Sequence, residues 1–66
     1  MSDWVHIEVA EILRETDAAF KVRLESGDEH WIPKSQIADA DDYDEGDVNA
    51  TMSITQWIAE QKEIEP

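Results

Sequence analysis

The sequence contains no cysteine, so neither a disulfide nor a thiolate metal cage can supplement its core. It has no run approaching the roughly eighteen apolar residues of a membrane-crossing helix. It opens on Met1-Ser2-Asp3-Trp4 without the basic region and apolar stretch of a leader, so an unexported, cytoplasmic chain is expected. Basic residues are scarce: five Lys plus Arg stand against seventeen Asp plus Glu, a net charge of −12. Such a balance weakens the compact state by self-repulsion and disfavours direct binding to polyanions. Also missing are a nucleophile elbow, a glycine-rich phosphate loop and any Cys/His metal spacing. With 66 residues the chain is one small domain that buries only about 60% of its unfolded surface. Its stability must come from packing, with weak self-association as a supplement to a monomeric fold.

What is present is alternation. Val5, Ile7 and Val9 alternate with His6 and Glu8, the period-two pattern of a strand with one wet face. The phase then slips, because Ala10 and Ile12 fall on the other parity with Leu13 beside them, and a bulge or strong coil is expected near Ala10 or Glu11. A helix has competing spacing at Val5, Val9, Ile12 and Leu13, but the β-branched content favours strand. After a turn at 14–18, Phe20, Val22 and Leu24 alternate with Lys21, Arg23 and Glu25. Ser26-Gly27-Asp28 is the best turn in the chain, with Gly27 able to take positive φ, and the strand that returns over 29–32 makes a hairpin. Pro33 ends that ladder. Lys34-Ser35-Gln36-Ile37 fits one 3₁₀ turn that drops Ile37 into the core. From 38 to 47 the composition becomes that of a mobile acidic loop. Val48, Ala50, Met52 and Ile54 then give a fourth strand, and a helix is expected over 54–63, capped by Ser53 or Thr55 with Ser53 and Gln56 at capping-box spacing. The residues from Glu63 on should fray.

This order implies a mainly β domain with a short C-terminal helix, read as an SH3-like small β-barrel with an OB-like barrel as the alternative. Trp31 is expected in the core, facing Trp57 where the helix closes one end. Trp4 is either an exposed interface anchor or a plug at the barrel's end.

Two segments, His30-Trp31-Ile32-Pro33-Lys34-Ser35-Gln36-Ile37 and Ile54-Thr55-Gln56-Trp57-Ile58-Ala59-Glu60-Gln61-Lys62, resemble a group of small uncharacterised proteins encoded by phages and prophages. Those proteins pair a Trp-Ile-Pro-Lys-Ser-type segment with a terminal Trp-Ile/Leu-Ala-Glu helix, and this chain departs from them in its longer acidic loop. The resemblance covers most of residues 18 to 63. It implies a phage or mobile-element accessory protein, encoded near genes that handle nucleic acid, and brings no catalytic residue with it.

Catalytic carboxylates need unlike, water-excluding environments that separate their pKa values, and an open acidic loop offers the opposite. No enzyme, cofactor or metal is therefore expected. The loop also fails as a calcium site. Counted from Asp39, position six is Asp44 and position twelve is Ala50; counted from Asp41, Gly46 is in place but position three is Tyr43 and position twelve is Met52. His6 and His30, on strands read as neighbours, are expected to be structural.

Two binding surfaces remain. In the first, Asp39, Asp41, Asp42, Tyr43, Asp44, Glu45 and Asp47, with Trp4, engage a protein partner that has a basic surface, the carboxylates imitating phosphates so as to inhibit a host defence or DNA-handling enzyme. In the second, Lys21, Arg23 and Lys34, near Trp31 and Phe20, form a platform for single-stranded nucleic acid. Three cations make a thin electrostatic case for that platform. The bland alternative to both is that the acidity serves only solubility or growth at high salt.

Overall fold

The computed structural model describes residues 3–64. Alternating β-branched residues build a first strand, β1 (Trp4–Glu15), long enough to serve two partners. Its first half runs antiparallel to β4 (Val48–Thr55) in unbroken register from Trp4↔Thr55 to Glu11↔Val48. Its second half runs antiparallel to β2 (Ala19–Leu24), with register slips between Val9 and Glu11 and between Ile12 and Arg14. The first slip is the one expected near Ala10. It moves the buried parity from Ile7 and Val9 to Ile12, so that all three reach the core. The strand β3 (Glu29–Pro33) completes the hairpin with β2, and the sheet order is β3-β2-β1-β4.

Gly27, at φ 96°, makes the hairpin turn, its N–H donating to the Leu24 carbonyl at 2.8 Å. Pro33 leads into a 3₁₀ turn at Lys34–Gln36, and Ile37 then forms an isolated bridge with Ile54 on the outer edge of β4. That bridge does not join β4 to β3, so the sheet is an open four-stranded antiparallel sheet and not a closed barrel. One face carries Ile7, Val9, Ile12, Phe20, Val22, Ile32, Met52 and Ile54, all essentially inaccessible to solvent, and Ile37, Ile58, Ala59 and Ile64 pack over it.

The helix α1 spans Gln56–Gln61, shorter than the 54–63 expected because Ile54 and Thr55 still belong to β4. Thr55 is the cap, its Oγ1 accepting from the Ile58 N–H at 3.2 Å. The helix does not fray at Glu63. Glu63 takes the left-handed conformation at φ 56°, its N–H donates to the Glu60 carbonyl at 3.2 Å, and the Ile64 N–H donates to the Ala59 carbonyl at 2.8 Å. This Schellman closure turns Ile64 back into the core. Residues 65 and 66 lie outside the described residues. Because a non-glycine residue pays about 1 kcal/mol or more for the left-handed conformation, Glu63→Gly is expected to raise stability by about 1 kcal/mol in urea unfolding. A fall in stability would show that the closure is not formed.

The tryptophans depart most from expectation. Trp31 and Trp4 are each 43% exposed and Trp57 is 59% exposed. In β3 only one of two adjacent residues can face inward, and Ile32 takes that place with no accessible surface, which turns Trp31 onto the outer face. In α1 the inward positions go to Ile58 and Ala59, so Trp57 does not seal the end against Trp31. No described helix is long and apolar enough to cross a membrane.

Candidate functional site

The acidic segment begins where Ala38 hooks onto β4, its N–H donating to the Ser53 carbonyl at 2.9 Å. Asp39 adopts the left-handed conformation (φ 53°, ψ 46°) and reverses the chain into a 3₁₀ turn at Ala40–Asp42, with the Asp42 N–H on the Asp39 carbonyl at 2.9 Å. Ala40 and Tyr43 then pack against the core, and the Tyr43 hydroxyl donates to the Thr51 carbonyl at 2.9 Å. A second turn follows, in which Asp47 Oδ2 accepts from the Asp44 N–H at 2.9 Å. Gly46, at φ 95°, and Asp47 exchange backbone hydrogen bonds with Ile12, each 2.8 Å long. Glu45 Oε1 accepts from the Glu15 N–H at 2.9 Å.

The segment expected to be a mobile loop is therefore pinned to β4 at one end and to β1 at the other. Its six acids divide into two groups. Glu45 and Asp47 spend a carboxylate oxygen on the protein's own backbone. Asp39, Asp41, Asp42 and Asp44 are exposed, and among the described residues their carboxylates have neither a hydrogen-bond partner nor a cation. Their charge faces solvent from a fixed backbone.

Tyr43 ties this frame to the core. Burial raises its phenol above the ordinary tyrosine value, and the nearby Asp42 and Asp39 push in the same direction, because each opposes a second negative charge. The folded state thus favours the protonated phenol. Its contribution to stability is complete below the unfolded pKa of about 10 and is lost as pH rises through the higher folded value. As this is the chain's single tyrosine, tyrosinate absorbance reports it directly. The titration is expected to lie above that of the urea-unfolded chain, and Tyr43→Phe should lose less stability on the alkaline side. A folded midpoint at or below the unfolded one would contradict this frame.

Trp4, the remaining member of the expected partner surface, opens β1 opposite Thr55, where the Gln56 N–H donates to the Asp3 carbonyl at 2.9 Å. It stands on the outer face at the same end of the sheet as the start of α1, where Trp57 is also exposed. Trp57, expected to seal the end against Trp31, thus shares with Trp4 an exposed aromatic position at this end.

The cationic platform is not assembled. Lys21 and Arg23 share the outer face, but Lys34 lies on the opposite side, its Nζ 4.8 Å from the centroid of the core Phe20 ring. Each of the three is also beside a carboxylate: Lys21 with Glu29 at 3.4 Å, Arg23 with Glu11 at 3.1 Å and Lys34 with Glu15 at 2.7 Å. Such partly exposed pairs add little stability, yet they offset the charge a phosphate would need.

The histidines do not meet. β2 lies between their strands. His6 faces outward with its Nδ1 2.7 Å from Ser53 Oγ, while His30 is paired with the inward-facing Val22. Among the described residues no group of three or more His, Asp or Glu side chains is placed to hold a metal ion. No protein-family model, curated protein or solved structure matches this chain.

Proposed function

We propose that this chain is a non-enzymatic accessory protein of a phage or mobile element, and that it binds the basic surface of a host or phage DNA-handling enzyme through residues 38–47. In this reading the carboxylates of Asp39, Asp41, Asp42 and Asp44 stand where the phosphates of a nucleic acid would stand, and Trp4 supplies an aromatic anchor beyond them. The observation that carries the reading is the frame. Four exposed carboxylates, without a partner among the described residues, project from a backbone held by Ala38, Tyr43, Gly46 and Asp47. An array already ordered before binding loses less conformational freedom than a tail of the same charge. The phage assignment rests on the Trp-Ile-Pro-Lys-Ser and Trp-Ile-Ala-Glu segments. An SH3-like arrangement of the strands, short of a closed barrel, is supported by the 3₁₀ turn after the three-strand meander and by the return of β4 beside β1. Direct binding of nucleic acid has less support, since Lys21, Arg23 and Lys34 are each beside a carboxylate.

The test is retention of bacterial proteins on the immobilised chain, followed by elution with double-stranded DNA. A mimic gives a retained protein that DNA displaces, and whose retention falls as salt rises from about 0.05 M to about 0.5 M, where the Debye length shrinks to a few ångströms. Retention indifferent to both DNA and salt contradicts the reading.

A further inference from the structure

We propose that two copies of this chain associate by pairing their β3 strands antiparallel, about a two-fold axis at Trp31, so that the two sheets become one.

The sheet has two edges, and they are treated differently. The outer edge of β4 is covered, since Ala38 donates to the Ser53 carbonyl and Tyr43 to the Thr51 carbonyl. β3 is the other edge. Its ladder phase follows from the two bonds that bracket it, Leu24 N–H to Asp28 carbonyl and Lys34 N–H to Ala18 carbonyl, each 2.8 Å. Hydrogen-bonded and non-bonded pairs alternate in an antiparallel ladder. Val22–His30 and Phe20–Ile32 are therefore the bonded pairs, and Arg23–Glu29 and Lys21–Trp31 the non-bonded ones. The N–H and C=O of Glu29 and Trp31, and the C=O of Pro33, consequently point away from β2. No side chain or loop among the described residues takes them.

That row of groups is complementary to itself. About a two-fold axis at Trp31, the Trp31 N–H and C=O pair with those of Trp31 in the second copy, and each Glu29 N–H meets a Pro33 carbonyl. The donor that proline lacks falls at the end of the joint, where the Glu29 carbonyl stays open to water. The two half-exposed indoles come side by side on the outer face. Centring the axis on His30 forms as many bonds, but it sets each Glu29 against an indole and draws the two carboxylates together. Centring on Trp31 keeps them at opposite ends.

Charge permits this approach here and opposes it elsewhere. Within 19–37, Lys21, Arg23 and Lys34 balance Glu25, Asp28 and Glu29, so the segment is neutral and the chain's net −12 lies outside it. A short strand ending in proline is a common guard against edge pairing. In this strand the proline removes one donor at the periphery and leaves the central pair intact.

The test is sedimentation of the full chain from about 10 μM to about 1 mM, a range in which weak complexes are populated, at roughly 0.05 M and 0.5 M salt. A dimer that grows with concentration is expected, about tenfold tighter at the higher salt because the remote charges are screened. This is the opposite salt response to that of the acidic loop with a basic partner, so the two readings fail separately. Trp31→Lys places like charges at the axis on an already exposed site, and should give a monomer with an unchanged circular dichroism spectrum. Trp57→Lys should dimerise as the wild type does. If Trp31→Lys does not fold, amide exchange of the wild type decides, through protection of Trp31 and Glu29 that rises with concentration. A monomer at every concentration, a dimer untouched by Trp31→Lys or equally lost in Trp57→Lys, or concentration-independent exchange at Trp31 and Glu29 overturns the proposal.

Discussion

Phe20→Ala is expected to leave the chain largely unfolded at 25 °C. Phe20 has no accessible surface, lies opposite Ile32 and Glu15 in the ladders on either side of β2, and has the Lys34 ammonium over its ring at 4.8 Å. Truncating a buried phenylalanine costs about 3–5 kcal/mol in lost transfer free energy and residual cavity. A chain of 66 residues has a total stability of roughly 3–10 kcal/mol, and this one works against its own net charge. Phe20→Leu keeps most of the volume and should cost less than about 1.5 kcal/mol. Urea unfolding followed by far-ultraviolet circular dichroism measures both, and suits the protein better than indole fluorescence because all three tryptophans are about half exposed in the folded chain and none lies in the core. A loss below about 1 kcal/mol for Phe20→Ala would show that this face of the sheet is not the core.

The second large effect is expected from Asp41→Asn, Asp42→Asn and Asp44→Asn combined, and it has two opposite signs. Stability should rise, because three negative charges without a cation among the described residues leave a molecule of net −12 while Asn preserves size and turn chemistry. Affinity for the partner that DNA displaces should fall by at least about tenfold at roughly 0.05 M salt, where complementary charges across an interface are least screened. Thermal unfolding and a binding titration on the same variant read the two signs. If the carboxylates served solubility alone, the thermal midpoint would rise and the affinity would not move.

Much of this architecture is legible in the residues themselves. The alternation of Val5, Ile7 and Val9, its slip before Ile12, and the run Phe20, Val22, Leu24 specify two strands and a bulge, because only one parity of each can be buried. Gly27 and Pro33 mark the turn and the end of the hairpin, since the glycine can take the positive φ that the turn needs and the proline fixes φ and lacks the donor that would extend the ladder. The second slip, at Leu13, carries no such mark, as Leu13 and Arg14 sit beyond the last strong alternation. Hydrophobicity misleads at the tryptophans. Trp31 is large and apolar, but its neighbour Ile32 and the pleat leave it the outer face, and parity is the better guide. Val48 misleads for a similar reason: the left-handed Asn49 (φ 54°) follows it, and Val48 is 59% exposed.

The candidate site was legible in composition and not in form. A run of acids looks like a solvated tail, because charge counts do not show which carboxylates the backbone uses. The spacing of Asp44 and Asp47 is that of a side-chain-closed turn, and Tyr43 within so polar a stretch is the local sign of an anchor. The bonds from Gly46 and Asp47 to Ile12 join positions more than thirty residues apart in sequence, and no local pattern foretells them. The meander of consecutive hairpins puts β2 between the two histidines, and the turn after Pro33 carries Lys34 to the Phe20 side, away from Lys21 and Arg23.

The most direct test of the account is the salt dependence of binding between this chain and the partner that DNA displaces, measured for the wild type and for the Asp41, Asp42 and Asp44 triple Asn variant. If these carboxylates meet basic side chains in the complex, the logarithm of affinity falls steeply with the logarithm of salt for the wild type, and the slope is distinctly shallower in the variant. Equal slopes and equal affinities for the two proteins would contradict it.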